Sequence, residues 1–301
     1  MSALALLVPG GNGQLGHDLA ALAPEGSVVR APARADFDIT QARAVVEAID
    51  GIVTAAAEAG MPAVVVNAAA YTKVDKAETD QSQAFSVNAD GPRLLAAVCA
   101  SRQIPLVHVS TDYVFPGDKT TGPYEVDDEP APKSVYGMTK LAGEYSVLGS
   151  GADAWVVRTA WVYGVNGHNF AKTIARLEGE RETLSVVDDQ RGSPTWSADL
   201  ASGLLELAGK IVAAEGPESR VLHLRGGGET TWFQFARAIF EELGADPDRI
   251  KPCGSDEFPS PVKRPENGVL SMDAWIAAGL KPLRPWRAAL TKAFEANLVS
   301  R

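Results

Sequence analysis

The chain has 301 residues, 46% hydrophobic and 22% charged, which suits a soluble globular protein with one large domain and a smaller one. A formal net charge of −10 argues against a nucleic-acid or anionic-membrane surface, so an anionic ligand needs a local basic or helix-terminal site. Cys99 and Cys253 are the only cysteines, which points to a reducing compartment. With no basic-then-apolar leader and no apolar run near ~18 residues, a cytoplasmic location is expected.

Ala3 to Val8 is a short apolar run, as in a buried parallel strand. It leads into Pro9-Gly10-Gly11-Asn12-Gly13-Gln14-Leu15-Gly16 and then a helical pattern through Leu19, Ala20 and Leu22. Strand, glycine turn and helix form the context of a dinucleotide fingerprint: glycines let backbone approach a pyrophosphate, and the helix N-terminus offers free N–H groups and a positive dipole end. Two registers fit, Gly11-Gly13-Gly16 and Gly10-Gly13-Gly16. Ser27 to Ala31 reads as the second strand. An acidic residue at its end would take ribose hydroxyls, but the chain runs into Pro32, Ala33 and Arg34, with Asp36 and Asp38 later. Arg30 and Arg34 suit a ribose phosphate, so NADPH is expected over NADH, with NADH as the alternative.

Gln41 to Gly60 is a helix, and Ala63 to Asn67 a strand ending in Ala68-Ala69-Ala70-Tyr71-Thr72, whose small side chains leave room for a flat cofactor. A helix is expected over Gln83 to Ser101. The strand Ile104 to Val109 then delivers Ser110-Thr111-Asp112-Tyr113 to the carboxyl edge of the sheet, where ligands bind; His108 is expected in the core. In Ser134-Val135-Tyr136-Gly137-Met138-Thr139-Lys140, Tyr136 and Lys140 share one helical face. An ammonium beside a phenol lowers its pKa from ~10, which makes proton transfer useful near neutral pH.

Ala154 to Thr159 is a further strand, followed by Ala160, Trp161, Val162 and Tyr163. Asn169 opens a helix, Leu184 to Val187 is expected to begin a return to the first domain, and Asp189 to Thr195 is a turn-rich loop. Asp199 heads a helix to Ala213, and Thr230 to Leu243 is an amphipathic helix. Pro252 to Pro265 reads as a loop carrying Lys263 and Arg264, of which the guanidinium is the better ligand for a diphosphate. Trp275, Leu280, Leu283, Trp286 and Leu290 read as packing of the terminal helices. The expected division is a dinucleotide-binding domain over 1–163, rejoined by segments of about 184–225, with 164–301 mainly substrate-binding.

Together the glycine turn, the Asn-Ala-Ala-Ala and Ser-Thr-Asp strand ends and the Tyr-x-x-x-Lys helix resemble the extended short-chain dehydrogenase/reductases. Within them the chain is similar to the branch that reduces the keto group of dTDP-6-deoxy sugars, through passages that also include Val74 to Glu78, Arg158 to Tyr163, Asp189 to Thr195 and Arg264-Pro265. The resemblance implies an α/β fold, a Rossmann-type doubly wound parallel sheet with a smaller C-terminal α/β substrate domain. It implies Thr111, Tyr136 and Lys140 as catalytic residues. For the cofactor it implies Gly10, Asn12, Gly13, Gln14, Leu15, Gly16, Arg34, Asp38, Ile39 and Ala68 to Ala70 (Ala68, Ala69, Ala70), with Tyr136 and Lys140. For the substrate it implies Val74, Thr111, Asp112, Tyr113, Tyr136, Trp161, Gln190 and Arg264.

The reaction implied is reduction of dTDP-6-deoxy-L-lyxo-4-hexulose to dTDP-L-rhamnose with NADPH. Dehydratases of the superfamily carry Asp-Glu after the Thr; Asp112-Tyr113 here suits simple reduction. Two alternatives stand beside it: an epimerase or dehydratase with permanently bound NAD, and a non-catalytic regulatory subunit. Some relatives share a divalent ion between subunits through carboxylates. Asp18 and Asp199 occupy those places, where the longer Glu is usual, so no metal is expected and monomer and homodimer remain alternatives.

Overall fold

The computed structural model describes residues 2–258 and 260–299; Pro259, within the expected proline-rich loop, lies outside the described residues. Its strands are β1 (Ala5–Leu7), β2 (Val28–Arg30), β3 (Ala63–Asn67), β4 (Leu106–Thr111), β5 (Ala154–Thr159), β6 (Val162–Tyr163), β7 (Leu184–Val187), β8 (Arg191–Gly192), β9 (Thr195–Trp196), β10 (Val221–His223), β11 (Thr230–Thr231) and β12 (Ile250–Cys253). Its α-helices are α1 (Gln14–Ala21), α2 (Ala42–Ala59), α3 (Val74–Ala77), α4 (Gln81–Phe85), α5 (Gly91–Arg102), α6 (Val135–Leu148), α7 (Phe170–Glu178), α8 (Ser197–Val212), α9 (Trp232–Leu243), α10 (Asp273–Ala277) and α11 (Trp286–Glu295).

The apolar runs alternate between two cores because successive strand residues point to opposite faces. Leu4, Leu6, Val8, Val64, Val66, Trp155 and Val157 bury against α1, α8 and α10. Ala5, Leu7, Val65, Ala154 and Val156 bury on the other face against Val45, Ile49 and Ile52 of α2 and Leu95 and Cys99 of α5. Both faces are covered, which is why these strands read as continuous apolar stretches. The six strands are parallel in the order β2-β1-β3-β4-β5-β10. The chain leaves β1 toward β2 and returns to β3 on the other side, so the topological switch lies between β1 and β3. A crevice opens there at the carboxyl ends.

A third core contains Tyr163, Ile174, Val186, Phe235, Ile239, Phe240, Ile250 and Leu290. It joins α7, α9 and α11 to a small sheet in which β7 pairs in parallel with β12, not with the central strands. Leu184 to Val187 therefore does not begin the return; that begins with α8, whose Leu200, Leu204 and Leu207 are in the first core. Cys253 ends β12, so the expected loop starts after it.

The helix expected over Gln83 to Ser101 is interrupted by a π-helical turn, Ser86–Asp90. Pro92 has no N–H to give the Asn88 carbonyl four residues back, which favours the wider turn. The turn aims the Asn88 amide at the site: Oδ1 accepts from Tyr71 N at 2.7 Å, and Nδ2 donates to the Tyr71 carbonyl and to Thr139 Oγ1 at 3.1 and 3.0 Å.

Helix α6 is held to the sheet by a buried ion pair. Arg158 of β5 donates to both Glu144 oxygens, Nε at 3.0 Å to Oε1 and Nη2 at 2.7 Å to Oε2. Both side chains are almost fully covered, and the guanidinium also lies 4.9 Å from the centre of the Phe115 ring. Removing one partner strands a buried charge, so Glu144→Ala is expected to lower the unfolding free energy by about 3–5 kcal/mol in urea titration. Leucine at both 144 and 158 should recover most of that loss; an equally unstable double variant would show that the cost comes from lost packing.

Candidate active site

Gly10 adopts a left-handed φ of +83°, and a Cβ there would stand 2.9 Å from the Ala69 backbone. A Cβ on Gly16 would meet the Gly10 carbonyl at 2.2 Å, so α1 packs directly on the turn. Gly11 faces away, where a Cβ would lie 2.0 Å from the Ala31 carbonyl. The register presented to the crevice is therefore Gly10-Gly13-Gly16. Gly13 is the N-cap of α1 and supplies no side-chain cap, which leaves the helix's first N–H groups for an anion.

Gly10, Asn12, Gly13, Gln14, Leu15 and Gly16 line one end of a cleft of about 780 Å³. Arg34, Asp38, Ile39 and Ala68 to Ala70 line it beyond them, and Val74, Thr111, Asp112, Tyr113, Tyr136, Lys140 and Trp161 line the other end. Ser110 and Thr159, at the carboxyl ends of β4 and β5, also line it, and their buried hydroxyl oxygens have no protein partner. A close-backbone glycine turn, an uncapped helix start and unpaired polar atoms in one cleft fit a dinucleotide with a polar head. Arg34 is exposed at the rim, whereas Arg30 turns toward Gly51 of α2 and lines a separate hollow beside Phe37. Asp38 spends one oxygen on the Thr40 N–H and hydroxyl, at 2.9 and 2.8 Å.

Tyr136 stands in the first turn of α6. The Ser134 hydroxyl caps that turn by accepting from Gly137 N at 3.1 Å, and Glu78 Oε1 accepts from Val135 N at 2.9 Å. Its ring meets that of Tyr113 edge-on, with centroids 5.5 Å apart. Burial pushes the phenol above its usual range; the nearby Thr111 hydroxyl acts the other way. The expected lowering by Lys140 is not seen, because the ammonium points elsewhere. Its Nζ donates to the Val109 carbonyl at 2.7 Å and lies 3.5 Å from His108 Nε2. Burial lowers the Lys140 pKa to about 8.

His108 is fully buried. Asn67 Oδ1 accepts from Ala69 N at 3.1 Å, so its Nδ2 must be the donor to His108 Nδ1 at 3.0 Å. The neutral imidazole then carries its hydrogen on Nε2, facing Lys140.

On the far wall Trp161, at φ +48°, stacks on Trp232 with centroids 3.5 Å apart. Gly192 backs it; a Cβ there would come 2.3 Å from the indole. Gln190 and Arg264 do not line the cleft. Gln190 is buried and donates to Ser255 Oγ at 2.8 Å. Arg264 divides its guanidinium between the Tyr113 hydroxyl at 3.1 Å and Asp75 at 2.6 Å, so it touches a cleft residue from behind. Asp18 accepts from Ser197, and Asp199 pairs with Arg284 at 2.9 Å.

Trp232 and Asn88 are among the site features that sequence reasoning missed, as is His168, which lines the cleft. The Thr231 hydroxyl caps α9 at Gln234 N, 3.2 Å away, and so places Trp232 at the half-buried start of the helix; a tryptophan directly after a Thr cap was the available signal.

The switch-point cleft, glycine turn and Thr-Tyr-Lys set define the chain as an oxidoreductase of the extended short-chain dehydrogenase/reductase class. Residues 4–299 match the family described as RmlD substrate binding domain. A dTDP-4-dehydrorhamnose reductase of Streptomyces griseus is 46% identical over 292 residues, covering 96% of this chain and 93% of the relative. A dTDP-4-keto-6-deoxy-D-glucose reductase of Streptomyces niveus is 44% identical over 290 residues, covering 96% of each. The crystal structure of dTDP-4-dehydrorhamnose reductase from Bacillus anthracis in complex with NADP superposes with a TM-score of 0.89 at 33% identity, over 98% of this chain and 100% of that one. The chain belongs to this family of dTDP-4-dehydrorhamnose reductases.

Asp112 is 4% exposed, and burial raises its carboxyl from 3.8 to about 7. The native state then keeps a proton that the unfolded chain releases. The stabilisation is full below about pH 4 and is lost as pH rises through about 7. Asp112→Asn, which cannot ionise, should therefore gain in Tm relative to the parent on going from pH 5 to pH 8. An equal Tm difference at both pH values would place the native carboxyl in the ordinary range.

Proposed function

We propose that the protein reduces the 4-keto group of dTDP-6-deoxy-L-lyxo-4-hexulose to give dTDP-L-rhamnose, with NADPH as reductant. The observation that carries this reading is the convergence of Thr111, Tyr136 and Lys140 at the end of the cleft opposite the glycine turn, on a chain that is 46% identical to a dTDP-4-dehydrorhamnose reductase. The cofactor follows from the NADP complex of the Bacillus anthracis relative and from Arg34 at the rim, where a guanidinium can take a ribose phosphate. When bound, NADPH supplies the hydride to the carbonyl carbon.

The chain's own residues complete the reduction. Tyr136 gives its phenolic proton to the carbonyl oxygen as the carbon gains two electrons, and the phenolate recovers a proton from solvent. Burial keeps the phenol protonated at neutral pH and so keeps the acid loaded. The helix start at Ser134 favours the transient phenolate, and Lys140, anchored on the Val109 carbonyl, keeps its remaining hydrogens for the nicotinamide ribose. Thr111 donates to the same carbonyl oxygen and orients it. In this proposal Arg264 serves the diphosphate only by exchanging Asp75 for a phosphate oxygen, and Trp161 presents an aromatic wall to the sugar.

The Streptomyces niveus relative, 44% identical, gives a second reading: reduction of dTDP-4-keto-6-deoxy-D-glucose itself. The two are separated by following NADPH absorbance with that compound alone and with it plus the 3,5-epimerase that produces the L-sugar. Oxidation only with the epimerase supports the first reading, and oxidation without it the second. No oxidation in either mixture would remove both.

Tyr136→Phe is expected to bind NADPH as the parent does and to turn over about 100-fold or more slowly; near-parental turnover would exclude the phenol as the acid. Arg34→Ala should raise the KM for NADPH about tenfold, the scale of one charge-assisted hydrogen bond, with little change for NADH. Equal effects on the two cofactors would place the phosphate elsewhere.

A further inference from the structure

The hydrogen-bond arithmetic of Thr111 leaves one decision to its neighbour. The Thr111 hydroxyl has one hydrogen and two lone pairs. One lone pair takes the Tyr113 N–H at 3.2 Å, and Asp112 Oδ1 stands 2.9 Å away. An ionised carboxylate can only accept, so Thr111 must give it the single hydrogen and offer the cleft a lone pair. A protonated carboxyl can donate, which fills the second lone pair and frees the Thr111 hydrogen. Carbonyl reduction needs the second arrangement, because the oxygen that gains charge requires donors.

We infer that Asp112 is a positioning residue that works as a neutral carboxylic acid, aiming the Thr111 hydroxyl so that it donates to the substrate carbonyl only while Asp112 holds its proton. The inference rests on the carbonyl-reductase reading above. Burial favours the neutral form, while the Thr111 hydroxyl and the backbone N–H groups of Asp112 and Tyr113 act the other way. Oδ2 is buried without a partner, and Gly268 packs so closely that a Cβ there would lie 2.6 Å from it. The groups facing Asp112 are Thr111 and Tyr113 on its own segment, Tyr136 from α6 and the backbone at Gly268. The cations closest to the site are committed elsewhere, Arg264 to the Tyr113 hydroxyl and Asp75 and Lys140 to the Val109 carbonyl. Burial without a cation puts the titration near neutrality, at about 7. The Asp112 proton is not consumed; the proton added to the carbonyl oxygen is that of Tyr136.

The test has two arms on the whole 301-residue chain. Carbon-detected NMR of aspartate carboxyls, with Asp112 assigned by its loss in Asp112→Asn, should show a midpoint near neutral pH. Turnover should fall about 10- to 100-fold as pH rises through that midpoint, the scale of losing one donor to a developing oxyanion. Asp112→Asn cannot ionise, so the direction of its hydrogen bond with Thr111 no longer changes with pH. Whatever the height of its profile, the neutral limb should vanish or move up by a unit or more. Thr111→Ser should keep the limb, and Thr111→Val should lack it. A midpoint in the ordinary carboxylate range, or an unmoved limb in Asp112→Asn, would overturn the inference. If the parent turns over at no pH, the reductase reading fails, while the NMR arm still judges Asp112.

Discussion

The seating of helix α6 against the carboxyl ends of β4 and β5 is the constraint on which the site depends. A helix carrying a buried lysine and a buried glutamate on one flank can dock on an apolar sheet only if both charges are met. The Glu144–Arg158 pair meets one, and the Val109 carbonyl meets the other. Asn88 then ties the helix at Thr139 to the segment after β3 at Tyr71. With three polar ties along two turns, Tyr136 has little freedom at the helix start, and its hydroxyl is delivered beside Thr111. Preorganisation of this kind lets an acid act without rearrangement as charge develops.

The opposite end of the cleft solves a different problem, holding an anion on a chain of net charge −10. No large basic surface is needed, because the uncapped start of α1 and the glycine backbone concentrate positive potential where the pyrophosphate of a dinucleotide would rest. Arg34 then adds one exposed guanidinium at the rim. The same economy appears around Thr111, where a buried carboxyl without a cation shapes donor and acceptor directions instead of supplying charge.

Much of this was legible in the sequence, and the illegible part has identifiable causes. Continuous apolar runs marked the doubly covered strands, and the order of glycine turn, strand ends and Tyr136-to-Lys140 helix placed the site at one sheet edge. What spacing could not say is where a flexible side chain spends its hydrogen bonds. Lys140 has the right position to face Tyr136 yet turns to Val109, and Arg264 is drawn to Asp75, 189 residues away in sequence. Apolar patterning likewise could not decide which sheet Leu184 to Val187 would join, since its partner β12 lies far downstream. The π turn at Asn88 escaped because its cause, one missing N–H at Pro92, is a single residue within an otherwise helical pattern.

A site built this way suits a net reduction, with hydride arriving at the sugar C4 and no return of electrons to the cofactor. It is tested most directly with NADPH deuterated at the transferring position and the product examined by NMR. One deuterium per molecule is expected at C4 of the rhamnosyl ring, with one NADPH oxidised for each product formed. Conversion of the keto sugar to an isomer at the same oxidation level, without net NADPH oxidation, would contradict it and indicate a cofactor that is recycled within each turnover.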